Sequence, residues 1–487
     1  MNKFYVTTSI PYVNGAPHIG NVLDSVYADV LARYHRQLGD DVRFLTGTDE
    51  HGSKIVRSAK AAGLTPQEFV DKNSFQFKKL KDVLNLSWDD FIRTSDQSRH
   101  WSGAQKLWGK LEKAGDLYKK AYKGLYCIGH EAFITDKDLV NGICQDHQKA
   151  PEVIEEENYF FKLSKYTKEI EKQINLGTFK VVPESRRNEI LSLLSQGLED
   201  VSFSRPAKDL SWGVPVPGDS TQTMYVWADA LVNYISALGY GSSDEKIFEK
   251  YWPADVQVIG KDNLRFHAAI WPGMLLSAGL PLPQTIFVHG FLNVNGQKIS
   301  KTVGNVIDPA ELVAKYGTDP VRFYLLREVA PFDDGDFSYE KFEEVYNANL
   351  ANGLGNFSAR VLALGEKAGE LAGDVNDPKV KEILAKSAEV RAAVAGKVSD
   401  FKFHEALAAI WGFISYGDVY VNNEKPWEAG KEKVITHALL ILEQVADLLK
   451  PFLPETAKKI LDCIEVTGIG TLKAKKCPPL FPRIEHA

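Results

Sequence analysis

Cysteine is scarce: Cys127, Cys144, Cys463 and Cys477 are the only four in 487 residues. That is too few for a disulfide scaffold in a chain of this length. Long apolar runs are missing too. Nothing approaches the ~20 uninterrupted apolar residues of a membrane-spanning helix. The opening Met1-Asn2-Lys3-Phe4-Tyr5-Val6 reads as a strand and lacks the pattern of a cleavable signal. A cytoplasmic protein is expected, with no membrane partner. Positive charge is not in excess either. A net charge of −6 argues against a chain coated with basic residues, although a local stripe can still serve a nucleic acid. One stretch has that look: Lys106, Lys110, Lys113, Lys119, Lys120 and Lys123, opposed only by Glu112 and Asp116. It is either a solvated helix face or an RNA contact. Internal repeats and low-complexity linkers are absent.

What is present is an ordinary globular composition, 44% apolar and 25% charged. The length exceeds one ordinary core, so two to four domains are expected. Phe4 to Ile10 reads as a buried strand ended by Pro11. A loop follows, then a helix from near His18 through Val22, Tyr27, Val30, Leu31 and Tyr34, stopped by Gly39 and Asp40. Asp41 to Thr46 is the next strand. Strand, glycine-bearing loop, helix, strand is the start of a doubly wound parallel sheet. Between about Tyr122 and Tyr225 the texture changes, with Cys/His pairs and charged runs. The α/β rhythm resumes at Tyr225, at Val256 to Asp262 and at Thr285 to Gly290. Beyond Ser338 the pattern becomes almost wholly helical, as in a bundle.

Two motifs carry chemistry. Pro17-His18-Ile19-Gly20-Asn21 delivers a turn onto a helix N-terminus, where unpaired N–H groups and the helix dipole suit phosphate. His18 can donate to a phosphate oxygen. Lys298-Ile299-Ser300-Lys301-Thr302 follows the turn Asn295-Gly296. Lysines placed there can stabilise the charge that builds on phosphoryl oxygens and pyrophosphate. Gly260 and Asp262 end a strand, where open α/β sheets bind ligands. Cys127-Ile128-Gly129-His130 and Cys144-Gln145-Asp146-His147 form two C-x2-H pairs, a donor set suited to tetrahedral zinc.

In this order, the two ATP-type motifs resemble those of the class I aminoacyl-tRNA synthetases. Ile10-Pro11-Tyr12, Thr48-Asp49-Glu50-His51-Gly52, Tyr225-Val226-Trp227-Ala228-Asp229-Ala230 and Phe266-His267 resemble the methionyl-tRNA synthetase family over nearly the whole chain. The resemblance implies a Rossmann-type catalytic domain in two parts, residues 1–121 and 225–337. A connective insertion with a zinc knuckle, residues 122–224, splits the sheet. An all-α anticodon-binding domain, residues 338–487, follows. It implies catalytic roles for His18, Asn21, Lys298 and Lys301. ATP contacts fall to His18, Gly20, Asn21, Gly260, Asp262 and Lys301. Ile10, Tyr12, Trp227, Ala230, Leu231, Tyr234, Asn263 and His267 surround methionine, with Asp49 on its α-ammonium. A thioether suits aromatic and aliphatic walls. Asn21 replaces the usual second histidine of the first motif, and Asn263 replaces a usual aliphatic residue. Cys127, His130, Cys144 and His147 would hold one structural Zn²⁺, with His130 where cysteine is commoner. Asn356, Arg360 and Trp427 would read the anticodon by edge contacts and stacking.

The implied activity is ligation of L-methionine to initiator and elongator tRNA(Met), using ATP and Mg²⁺, for which no protein ligand is read. No space remains for the large editing domain of the relatives that activate branched aliphatic amino acids. DNA is not an expected partner, and the chain ends soon after the bundle, so a monomer is expected. The alternatives are another enzyme of the same fold, a nucleotidyltransferase or a synthetase for a different amino acid, and a non-catalytic RNA-binding protein that kept the fold.

Overall fold

The computed structural model describes residues 2–128, 132–134, 139–144, 148–300, 304–467, 471–475 and 477–485. The chain divides into two compact units. One contains Met1–Pro17, Gly39–Lys81 and Ser87–His289; the other contains His18–Leu38, Asp82–Leu86 and Gly290–Ala487.

The first unit is built on a six-stranded sheet of β1 (Lys3–Thr8), β2 (Asp41–Thr48), β3 (Asp90–Arg93), β4 (Lys180–Val182), β5 (Val256–Gly260) and β6 (Thr285–His289). Its order is β3-β2-β1-β5-β6-β4, and every neighbouring pair is parallel. Parallel sheets are covered on both faces, so their strands read as continuous apolar runs. Tyr5, Val6, Leu45, Val258, Ile259, Ile286 and Phe287 are all fully buried. Lys180–Val182 lies within the stretch read as an insertion, yet it supplies the sheet's edge strand beside Thr285–Phe287. The rest of that stretch includes a four-stranded sheet in which Leu117–Cys127 and Glu152–Phe161 pair antiparallel.

The lysine-rich stretch is not one helix face. Lys106, Lys110 and Lys113 lie on the helix Ser102–Lys113, while Lys119, Lys120 and Lys123 lie on the strand Leu117–Cys127. Much of its charge is already paired. Lys106 bonds Glu245 at 2.6 Å, Lys119 bonds Asp219 at 2.7 Å and Lys123 reaches Glu155 at 3.5 Å. Three of the six lysines are thus engaged with neighbouring carboxylates.

The second unit gathers the early helix Leu23–Gln37 with the later part of the chain. Buried Arg322 explains how. It pairs with Asp29 at 2.8 Å, both side chains fully buried, and donates to the carbonyls of Leu84, Pro451 and Phe452. A buried ion pair is tolerated only with its remaining donors satisfied, and here three other segments satisfy the guanidinium. The helices Pro378–Ser399, Phe403–Glu424 and Glu432–Leu449 form the main bundle. The expectation of an almost wholly helical end needs one correction. Glu370–Ala372, Ile464–Thr467 and Thr471–Ala474 make a small antiparallel sheet, stapled near its edge by a Cys463–Cys477 disulfide with Cα atoms 6.0 Å apart.

Candidate active site

In the first unit, the residues expected to surround the amino acid begin where β1 and β2 end. Tyr12 and Asp49 pair as an isolated bridge. Asp49 N–H donates to Pro11 O at 2.9 Å, and Val13 N–H to Asp49 O at 3.1 Å. The Asp49 carboxylate is thereby held on a fixed backbone, and the residue is 4% exposed. The opposite wall comes from the helix Val226–Ala230. Trp227 stacks on Phe266 with centroids 3.7 Å apart and planes 8° from parallel. Ala230, Leu231 and Tyr234 are buried behind it.

His267 is 1% exposed. Its Nδ1 lies 3.0 Å from the Asn263 carbonyl, and its Nε2 lies 2.7 Å from the Tyr234 hydroxyl. A carbonyl only accepts, so Nδ1 carries the proton and Nε2 accepts from Tyr234. Burial pushes the imidazole down to about 4, against the opposing pull of the Asn263 carbonyl. It is therefore neutral at physiological pH. Tyr5 O–H donates to the Tyr234 backbone carbonyl at 2.7 Å, fixing the backbone that carries that ring. Trp227, Ala230, Leu231 and Tyr234 thus supply apolar, polarisable surface beside a neutral Tyr234–His267 pair. This suits a thioether amino acid.

Asn263 enters the site through its backbone. Its side-chain amide turns to Asp262 Oδ1 at 3.3 Å, while its carbonyl orients His267. Gly260 precedes them at the end of β5, and a Cβ there would sit 2.9 Å from Asp262 Oδ1. Glycine therefore lets the Asp262 carboxylate fold back over the strand end.

In the second unit, His18 caps the 3-10 turn Ile19–Val22, which runs on into the helix Leu23–Gln37. Gly20 N–H donates to His18 Nδ1 at 3.2 Å, and Asn21 Oδ1 accepts from His18 N–H at 3.0 Å. With Nδ1 accepting, the ring proton sits on Nε2. Asn21 thus fixes the turn as an acceptor. Ile19 N–H donates to Ile307 O at 3.0 Å, and a Cβ on Gly20 would lie 3.1 Å from both His18 and Ile299 Cδ1. The early turn and the lysine loop are therefore neighbours, although some 280 residues separate them in sequence.

That loop leaves a hairpin of Leu292–Val294 and Gln297–Lys298. Asn295 and Gly296 both have positive φ, 52° and 71°, as a primed two-residue turn demands. Lys298 is exposed, with its ammonium 5.6 Å from the Phe291 ring centre. Asn305 braces the loop: its Oδ1 accepts from Ser300 N–H at 2.8 Å, and its amide donates to Lys298 O at 3.1 Å. Sequence reading gave Asn305 no role, although Gly304-Asn305 directly after the motif is a turn signal. Lys301 lies outside the described residues, as do His130 and His147 of the metal set. Cys127 and Cys144 are buried with Ile134 in one small cluster. Among the described residues no group of three or more metal-type side chains converges.

Asn356 and Arg360 share one face of the helix Asn356–Ala368, as their spacing predicts. Asn356 is exposed. Arg360 pairs with Asp418 at 2.9 Å and donates to Asn422 Oδ1 at 2.7 Å. Trp427 is 55% exposed. No described helix is long and apolar enough to cross a membrane.

A parallel sheet with ligand groups at its strand ends, a glycine turn beside a lysine loop and a helical bundle together define a class I tRNA synthetase. Residues 4–146 and 136–362 match the family described as tRNA synthetases class I (M). Residues 380–477 match the anticodon-binding domain of tRNA ligase. Methionine–tRNA ligase of Thermotoga maritima is 43% identical, over 94% of this chain and 74% of its own. The Brucella suis enzyme of that name is 42% identical, over 95% and 92%. The structure of Mycobacterium tuberculosis methionyl-tRNA synthetase in complex with methionyl-adenylate superposes with a TM-score of 0.90 at 39% identity, covering 95% of this chain and 94% of that one. The chain belongs to the methionine–tRNA ligase family.

Proposed function

We propose that this chain activates L-methionine with ATP and transfers it to tRNA(Met), initiator and elongator alike. In the first step the methionine carboxylate attacks the α-phosphorus. An oxygen–phosphorus bond forms, the bond to the β-phosphate bridge breaks, and pyrophosphate leaves with the negative charge. Asp49 reads the α-ammonium through a charge-assisted bond. Ile10, Tyr12, Trp227, Ala230, Leu231 and the Tyr234–His267 pair hold the side chain. Asp262 takes the ribose hydroxyls beside Gly260. His18, Gly20, Asn21, Lys298 and Lys301 stabilise the triphosphate charge as it develops. Mg²⁺ accompanies ATP and neutralises phosphate charge, with no protein ligand assigned to it. In the second step a 3′-terminal ribose hydroxyl attacks the activated carbonyl and AMP departs. The protein supplies orientation and fixed charge, and no nucleophile of its own.

The observation that carries this reading is the packing of Gly20 against Ile299. It joins two motifs that are weak apart and specific together. Asn356, Arg360 and Trp427 are the proposed anticodon readers; Trp427 supports this by standing out as an indole face open to stacking. Two cysteines buried in one cluster, each followed by a C-x2-H histidine, make a chemically competent zinc set. The metal would be structural, since four ligands close a tetrahedral site. The need for tRNA and ATP places the enzyme in the cytoplasm.

Exchange of labelled pyrophosphate into ATP, run across all amino acids, tests the reading. Stimulation by methionine alone is the expected result. Stimulation by leucine or cysteine instead would assign another substrate, and none at all would leave an RNA-binding protein.

A further inference from the structure

Behind the amino-acid pocket lies a buried carboxylate with no role in the chemistry above. Asp229 sits on the wall helix Val226–Ala230, between Trp227 and Ala230, and is fully buried. Its Oδ2 is 2.7 Å from His51 Nδ1. Its Oδ1 is 3.4 Å from His100 Nε2, and His100 Nδ1 contacts Ser236 Oγ at 2.8 Å. Both histidines are buried. Burial alone would raise this carboxyl, and the two imidazoles more than offset it, holding Asp229 below the usual carboxylate range. His51 is seated between the edges of Trp101 and Trp212, and Trp212 Nε1–H donates to Glu50 O at 2.6 Å.

Position gives this pair its meaning. His51 lies two residues beyond Asp49, and its N–H points at Asp49 Oδ1 from 3.4 Å. Asp229 lies two residues beyond Trp227. A helix of five residues has no stability of its own, so its place depends on what grips it. We propose that the His51–Asp229 bond is a cross-brace that sets the distance between the ammonium-reading carboxylate and the side-chain wall. His51 and Asp229 are then positioning residues that measure the length of the amino acid. One end of the substrate is fixed at Asp49 and the other at Trp227 and Ala230, so the separation decides which chain length fits. A bond between two buried groups can hold such a spacing because the closely packed interior around it resists displacement. This inference rests on Asp49 as the ammonium reader.

The test uses the full chain with Asp229→Asn, which keeps size but loses charge, and with His51→Phe, which keeps a ring but loses the donor. Pyrophosphate exchange is measured with methionine and with ethionine, one methylene longer. Loss of a buried charged hydrogen bond predicts a methionine KM raised about tenfold, with the ATP KM unchanged within about twofold. The preference for methionine over ethionine should fall about tenfold, most of what one methylene is worth. His51→Asn, which restores an N–H near Nδ1, should recover much of that preference. Unchanged methionine KM and preference would overturn the proposal. So would methionine and ATP KM values rising together, or failure of both variants to fold, since each marks a purely structural pair. Asp49→Asn separates the two readings. If it leaves the methionine KM alone, the ammonium assignment is wrong; if it raises KM while Asp229→Asn does not, only the brace is wrong.

Discussion

The proposed methionine pocket and the proposed phosphate-handling turn would solve different problems, and their construction differs accordingly. In the pocket the working groups are sunk: His267 and Tyr234 are each 1% exposed, and each has a fixed hydrogen-bond partner. At the turn His18, Gly20 and Asn21 are only half-buried. Lys298 is exposed, and the loop is braced by the Asn305 side chain as well as by the contact of Ile299 with Gly20. Discrimination between amino acids requires desolvated, immobile walls, because an apolar pocket gains only ~1–3 kcal/mol per methylene. Charge stabilisation on ATP requires reach and release, because pyrophosphate must leave. Rigidity is placed where selection occurs, and exposure where the leaving group departs.

The largest break in that contrast should come at Asp49. Replacing it with alanine removes the one charged contact in the pocket and should lower kcat/KM for methionine about 1000-fold in the exchange assay. The ATP KM should move far less; an equal rise would mean that the two sites are not separable. Lys301→Ala attacks the other side. It should cut the exchange kcat about 100-fold with little change in methionine KM, as expected for charge stabilised mainly in the transition state. A loss confined to KM would mean that the loop binds and does not catalyse.

A third comparison uses pH. His267 is held near 4 when folded against 6.5 as its reference, so between those values the unfolded chain binds the extra proton. Stability must then fall as pH drops through that window and be unaffected by this group above it. Relative to His267→Gln, the wild-type chain should lose about 2 kcal/mol between pH 7.5 and pH 5. Urea titrations at the two values check it, and a constant difference would mean that the imidazole is not buried neutral. The smallest effect is at Gly20. Gly20→Ala places a methyl 3.1 Å from His18 and Ile299. It should raise the ATP KM about tenfold through a displaced turn, with the methionine KM unchanged.

Much of the catalytic half was legible because its signals are local. The apolar runs at Phe4 and Val256, the stop at Gly39 and the Asn295-Gly296 turn each carry their own geometry, and each appears where the pattern put it. The Asn356–Arg360 spacing likewise follows from the helix alone. Less legible was anything that joins distant segments. The edge strand Lys180–Val182 is three residues long, too short for a periodic signal, and only its neighbour Thr285–Phe287 makes it a strand. The small sheet around Leu472 was hidden for the same reason. The pairing of the basic stretch was not legible because charge counted along a sequence ignores carboxylates supplied from elsewhere, here Asp219 and Glu245. Asn263 was judged by its side chain, whereas the structure uses its carbonyl.

The sequence by itself determined the elements and the chemical vocabulary: which segments twist into strands or helices, and which side chains can hold phosphate, ammonium or thioether. Those follow from local periodicity and from functional groups, which a single residue carries with it. Only the tertiary structure decided the partnerships. It set Gly20 against Ile299, buried Arg322 on Asp29, fixed the tautomer of His267 and closed His51 onto Asp229. Each of these depends on distances across the fold, and in a low-dielectric interior those distances decide whether a polar group stabilises the site or costs it.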